Sequence, residues 1–170
     1  GNCLITWTDT FTQIVDVDSA GPIGPAVQHV GALVAVVSAD GSRFATGDFD
    51  GTVSVWNTKT GEQVVPRLTH GGVVYALAFS PDGSRLVSGG NTQVARLWDL
   101  ATGRTIGTSL RHGETIRAVA FSADGQQVVV GGSRGVARIW QIAGKDPTGQ
   151  PVEHRDSILA AAFAPDGLRI

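Results

Sequence analysis

Short runs of β-prone apolar residues, four to eight long and rich in Val and Ile, recur along the chain between breaks of Gly, Asp, Asn and Ser. Runs of this length with such boundaries read as strands, because a helix needs a longer stretch with apolar positions three and four apart. One stretch shows the order clearly: residues 73–80, the turn pair Asp82-Gly83, residues 85–88, residues 94–98 and a sparser segment 104–110. Asp-Gly suits a tight hairpin turn, since Gly takes positive φ without a Cβ clash. The pattern predicts an all-β chain built of four-stranded antiparallel units.

The unit repeats. Trp56, Trp98 and Trp140 are spaced by 42 and 42, as are His70, His112 and His154, and His29 lies 41 before His70. Each of these Trp residues precedes a His by 14, and the same step back from His29 lands on Val15, a degenerate Trp position. The pairs Asp40-Gly41, Asp82-Gly83, Asp124-Gly125 and Asp166-Gly167 follow their His by 11 or 12. Pro22, Pro25, Pro66, Pro147 and Pro151 all fall in or beside the fourth strand of a unit. Proline is tolerated on an edge strand, where its missing N–H breaks no ladder bond, so that strand is expected on the outside.

A period near 42 with a His opening each four-stranded unit and a Trp near its end resembles the WD-repeat β-propeller family, in which one unit is one blade. The best matches run from His70 through Phe79-Ser-Pro-Asp-Gly83 to Leu97-Trp98-Asp99, and from His112 through Phe121-Ser-Ala-Asp-Gly125 to Ile139-Trp140-Gln141. Only Trp98-Asp99 keeps the literal Trp-Asp pair. On this resemblance, residues 1–28 hold the last three strands of one blade, and 29–69, 70–111 and 112–153 are repeats two to four. Residues 154–170 then open a further blade with its first strand and turn. Four repeats are half of an eight-bladed ring. An open stack leaves apolar blade faces in water, so self-association that closes the ring is expected. The chain has no methionine, even at position 1, and reads as an excised or processed piece.

Composition narrows the partners. With 42% hydrophobic residues, 16% charged residues and a net charge of −2, the chain can bury a core and has no electrostatic reason to seek nucleic acid or membrane. No apolar run approaches the roughly 20 residues that span a bilayer. Cys3 is the sole cysteine, which rules out an intrachain disulfide and fits a reducing, cytoplasmic setting.

His29, Thr46, Asp50 and Trp56 superficially read as a nucleophile–His–Asp set. The family resemblance instead implies a structural hydrogen-bond tetrad, continued by His70, Ser88 and Trp98 in the third repeat and by His112 and Trp140 in the fourth. In those repeats Thr92 stands in place of Asp, and Val130 and Arg134 replace both polar partners. A set that decays along the chain fits repeated stabilisation rather than catalysis, so no catalytic residue is expected. No cofactor is expected. No metal site is expected either, because the histidines occupy equivalent positions around a ring and Cys3 has no ligand companion at metal-binding spacing.

Binding residues are expected on the loop face that family members commonly use. Tyr75, Arg117 and Leu159 stand five residues after their His, with Leu33 aligned to them, and Tyr and Arg are types enriched at interface hot spots. The loops between second and third strands add Asp48, Phe49, Asn91, Thr92, Ser133 and Arg134. The reading is a non-catalytic scaffold or sensor module for a protein or peptide partner. A small-molecule-binding or enzymatic propeller, starting from Tyr75, Arg117 and Asp48, and a purely architectural self-assembling half-propeller are the alternatives.

Overall fold

A computed structural model describes residues 3–8, 10–142, 147–164 and 169–170. Among them the chain forms strands and turns but no helix. The strands β1 (Cys3–Trp7), β2 (Phe11–Asp16) and β3 (Val27–Gln28) make a first antiparallel sheet in that order. A second sheet follows with β4 (Ala32–Val37), β5 (Arg43–Asp48), β6 (Thr52–Asn57) and β7 (Leu68–Thr69). In the third, β8 (Val74–Phe79), β9 (Arg85–Gly90) and β10 (Val94–Asp99) are edged by two short strands, β11 (Arg104–Thr105) and β12 (Leu110–Arg111), both paired to β10. The fourth sheet is β13 (Ile116–Phe121), β14 (Gln127–Gly132), β15 (Val136–Gln141) and β16 (Pro147–Glu153). Each sheet is a meander of sequential neighbours, the form of a propeller blade.

The fourth strands are the weak members. β7 is two residues long with one further bridge, Trp56 to Gln63, and Pro22 reaches Val15 only by an isolated bridge. Pro147 sits on β16, where it opposes Trp140 and its far side faces no further strand. This is the outer edge to which proline is confined.

The middle strands carry the core. Val128, Val129 and Val130 are consecutive and all fully buried, which one-sided alternation cannot produce. One face of β14 packs on the third blade, and the segment that carries Ile158 lies against the other at Gly131. Three apolar clusters fill the gaps between neighbours. Ile14 and Val27 meet Phe44 and Trp56, and Val53 and Val55 meet Leu77, Leu86 and Trp98. Val87 and Leu97 meet Val128 and Trp140. The blades approach so closely that a Cβ at Gly47, Gly89 or Gly131 would collide with Val74, Ile116 or Ile158, the inward residue of the next unit.

The expected first strand of a further blade is not a strand among the described residues. Segment 154–164 carries a bend at 155–156 and is otherwise irregular. It still follows the repeat locally: Ile158 N–H donates to Gly132 O, and Ala164 N–H donates to Arg169 O, as Ser122 N–H does to Gln127 O. His154 is exposed, unlike His29, His70 and His112. The turn pair Asp166-Gly167 lies outside the described residues.

Candidate functional site

Up-and-down sheets send their connections to two ends. At one end lie the loops after β5, β9 and β14 and the segments leading into β4, β8 and β13. The Asp-Gly turns and the turns after β6, β10 and β15 lie at the other.

Beneath the first end sit the His-centred networks. In the third blade Trp98 Nε1–H donates to Ser88 Oγ at 2.8 Å, and Ser88 Oγ lies 2.9 Å from His70 Nδ1. Thr92 Oγ1 is 2.9 Å from His70 Nε2. The proton count closes if Ser88 O–H donates to Nδ1 and Nε2–H donates to Thr92, which leaves His70 neutral. Burial, aided by Arg96, pushes the His70 pKa down to about 4 and agrees with that state.

The second blade makes a looser version. Trp56 Nε1–H reaches Thr46 Oγ1 at 3.3 Å, Thr46 reaches His29 Nδ1 at 3.4 Å, and His29 Nε2 meets Asp48 Oδ1 at 2.8 Å. The carboxylate on His29 therefore belongs to Asp48 and not to Asp50. Thr46 and Asp48 are two apart on β5 and share a face, while Asp50 lies beyond the strand end and accepts Thr52 N–H at 2.9 Å. Asp48 is buried in this contact, so it is also removed from the partner-contact set. Strand parity was the signal that could have told the two carboxylates apart.

The fourth blade has lost the relay. Val130 supplies no hydroxyl, and His112 Nδ1 and Trp140 Nε1 are buried without hydrogen-bond partners. His112 Nε2 turns to Val136 O at 3.1 Å and to Glu114 Oε1 at 3.4 Å. Burial and Arg138 lower the His112 pKa, against an opposing pull from Glu114. Glu114, which the sequence reading missed, is buried, and its Oε2 accepts Arg134 N–H at 2.6 Å. It fills space beside Gly132 that any Cβ there would occupy, a small residue opposite a large one.

In the second and third blades these are hydrogen-bonded interior groups set between strands, and in the fourth two of the equivalent nitrogens are buried without partners. Among the described residues there is no cluster of three or more His, Cys, Asp or Glu able to hold a metal.

Above the networks the strand register slips at one equivalent place in three blades. The pairing jumps from Ala32 to Val34, from Val74 to Ala76 and from Ile116 to Ala118. The skipped residues are Leu33, Tyr75 and Arg117. A β-bulge frees a residue from the ladder and re-aims its side chain, which explains why these three positions present themselves at the loop end. Leu33 and Tyr75 are half-buried and Arg117 is exposed, with its guanidinium carbon 4.2 Å from the centre of the Tyr75 ring. Leu159, the fourth aligned position, is 76% exposed on the segment after β16.

Of the loop residues, Phe49 is 63% exposed and Asn91 and Arg134 are exposed. Thr92 is half-buried and committed to His70. Ser133 is half-buried, and its carbonyl accepts Ser157 Oγ–H at 2.6 Å.

The opposite end is occupied by Ser-x-Asp-Gly turns. Asp40 and Asp82 each accept bonds from two serine hydroxyls, which hold their carboxyls down to about 2. A shallow groove of about 250 Å³ between these turns is lined by Asp40, Arg43, Asp82 and Asp99.

A sequence search of curated proteins finds no match to the chain. The family model described as WD domain, G-beta repeat matches residues 26–57, 62–99 and 103–141, segments that each take in one of the Trp residues at the 42-residue period. With most of the chain covered by that model and four propeller-type sheets in the structure, the protein belongs to the WD-repeat family.

Proposed function

We propose that this chain is a non-catalytic scaffold or sensor module that binds a protein or peptide segment on its loop end. WD repeats generally serve as platforms for protein–protein interaction. The observation that carries the reading here is the coincidence of three bulged positions with an exposed aromatic. Leu33, Tyr75 and Arg117 are taken out of the ladder at equivalent places of successive blades, and Phe49, in the loop after β5 at the same end, stands in water. A large exposed apolar ring on a rigid scaffold marks a contact surface. The networks below are internally satisfied or buried, which leaves shape and a few anchors as the means of recognition.

The test is a random-peptide display selection against the chain, followed by affinity measurements on variants. Phe49→Ala and Tyr75→Ala should each weaken the selected peptides by tenfold or more, while Lys59→Ala at the opposite end leaves them unchanged. Peptides lost only with Lys59→Ala would refute the placement.

Self-association is part of the same proposal. The first blade exposes Leu4, Trp7 and Phe11, apolar side chains that a neighbouring blade would cover. A second copy is the proposed cover, and light scattering over a range of concentrations should give twice the chain mass.

A further inference from the structure

We propose that the segment bound at the loop end is acidic, an inference that rests on the loop-end reading above. The sequence has nearly balanced charge, yet the fold sorts it. Asp40, Asp82, Asp99 and Asp124 are gathered in the turns of one end. At the other end, across the third and fourth blades, Arg111 closes β12, Arg117 occupies the β13 bulge and Arg134 occupies the loop after β14. All three side chains are exposed.

The buried carboxylates near these arginines are already engaged. Asp48 is buried against His29, and Glu114 is buried beneath the loop, between His112 and the Arg134 N–H. Asp50 lies in the second blade and feels Arg67. Glu153 and Asp156 stand on either side of His154-Arg155, and Asp156 Oδ1 accepts the Ser157 N–H at 2.6 Å. Among the described residues no Asp or Glu pairs with Arg117 or Arg134.

One guanidinium, that of Arg117, and the backbone that carries the other, Arg134, are held in place before any partner arrives. Arg117 lies over the Tyr75 ring at 4.2 Å, a cation–π contact that fixes a long side chain at little entropic cost on binding. The loop of Arg134 is fastened from two sides, by Glu114 on its N–H and by Ser157 on the neighbouring carbonyl of Ser133. An exposed arginine pre-positioned on an aromatic ring, with a second exposed arginine on an anchored loop, suits carboxylates, to which Arg offers paired donors. A peptide suits the patch better than a nucleic acid: the whole molecule carries −2, and its opposite end is acidic, so a long polyanion gains little from a patch of three charges.

The experiment uses fluorescein-labelled dodecapeptides of alternating Glu and Ser, with Gln–Ser and Lys–Ser counterparts, read by anisotropy at two salt concentrations. The Glu peptide should bind at least tenfold more tightly than the Gln peptide, the Lys peptide should not bind, and salt should weaken the Glu complex. Arg117→Glu and Arg134→Glu should each cost about tenfold or more, Arg117→Lys should cost less, and Lys59→Ala should change nothing. Equal binding of Glu and Gln peptides, or indifference to both charge reversals, overturns the acidic assignment. So does tighter binding of a single-stranded oligonucleotide. Those results leave the loop-end reading standing if the display-selected peptides still depend on Phe49 and Tyr75; loss of that dependence defeats the loop-end reading itself.

Discussion

Val130→Thr should stabilise the protein, against the usual direction of polar substitution in a core. Val130 is fully buried at the position that Thr46 and Ser88 hold in the preceding blades. Its side chain leaves His112 Nδ1 and Trp140 Nε1 without partners, each a buried orphan costing about 1–3 kcal/mol. Because His112 Nε2 is directed at Val136 O, Nδ1 carries the lone pair. A threonine hydroxyl can therefore accept from Trp140 and donate to His112, as Ser88 does between Trp98 and His70. The change removes one buried methyl, worth about 0.8 kcal/mol. Taken at the low end of both orphan costs, the net expectation is a gain of about 1 kcal/mol, which for a chain of this size raises Tm by roughly 2–4 °C. Val130→Ser gains the same bonds but loses two methyls, so it should fall below Val130→Thr. Val130→Ala loses methyls without gaining a bond and should melt below the parent chain. Thermal melts rank the variants, and slower exchange of the Trp140 indole proton reports the new bond directly. If Val130→Thr melts no higher than the parent chain, the relay is not what the fourth blade lacks.

Asp48→Ala should cost about 1–3 kcal/mol by stranding the His29 Nε2–H, whereas Asp50→Ala removes an exposed turn contact and should stay within about 0.5 kcal/mol; denaturant titrations separate the two. Gln93 has φ +64° where the matching loops have Gly51 and Gly135 at φ +85°, so Gln93→Gly should raise stability by about 0.5–1 kcal/mol in the same assay. His70 is neutral when folded, with its pKa lowered from 6.5 to about 4, so the unfolded chain takes up the proton first as pH falls. Stability should be full above about pH 6.5 and decline through the window down to about pH 4 by about 1.4 kcal/mol per pH unit for this group, and melts that stay level across that window would contradict the buried, neutral assignment.

How much the sequence disclosed followed from how each feature is tied to geometry. The His, Trp and Asp-Gly spacing was legible because every blade places them identically, and Gly41, Gly83 and Gly125 do take positive φ. The tetrad was legible in outline but not in its acid. Two carboxylates flank Phe49, and only the phase of β5, which ends at Asp48, decides which one faces His29. The bulges were invisible as bulges, since Val74-Tyr75-Ala76 reads as ordinary strand; what showed was their result, a shared offset from the His. Glu114 left no pattern signal, because it lies in the bend before β13 and packs beside Gly132, eighteen positions later on β14.

These two sets of residues answer to different physics. The networks lie between strands and next to core valines, where an unmet donor has no water to turn to, so each change there is paid in stability. The bulged residues contribute no ladder bond at their own position and meet solvent, so their identity is left free by the fold. Thr46, Ser88 and Val130 accordingly vary within the narrow limits of small β-compatible side chains, while Leu33, Tyr75 and Arg117 span apolar, aromatic and cationic chemistry at one structural position. A position that the architecture repeats but does not constrain is where recognition can be written blade by blade. That is the argument for seeking the partner there and for treating the buried histidines as its support.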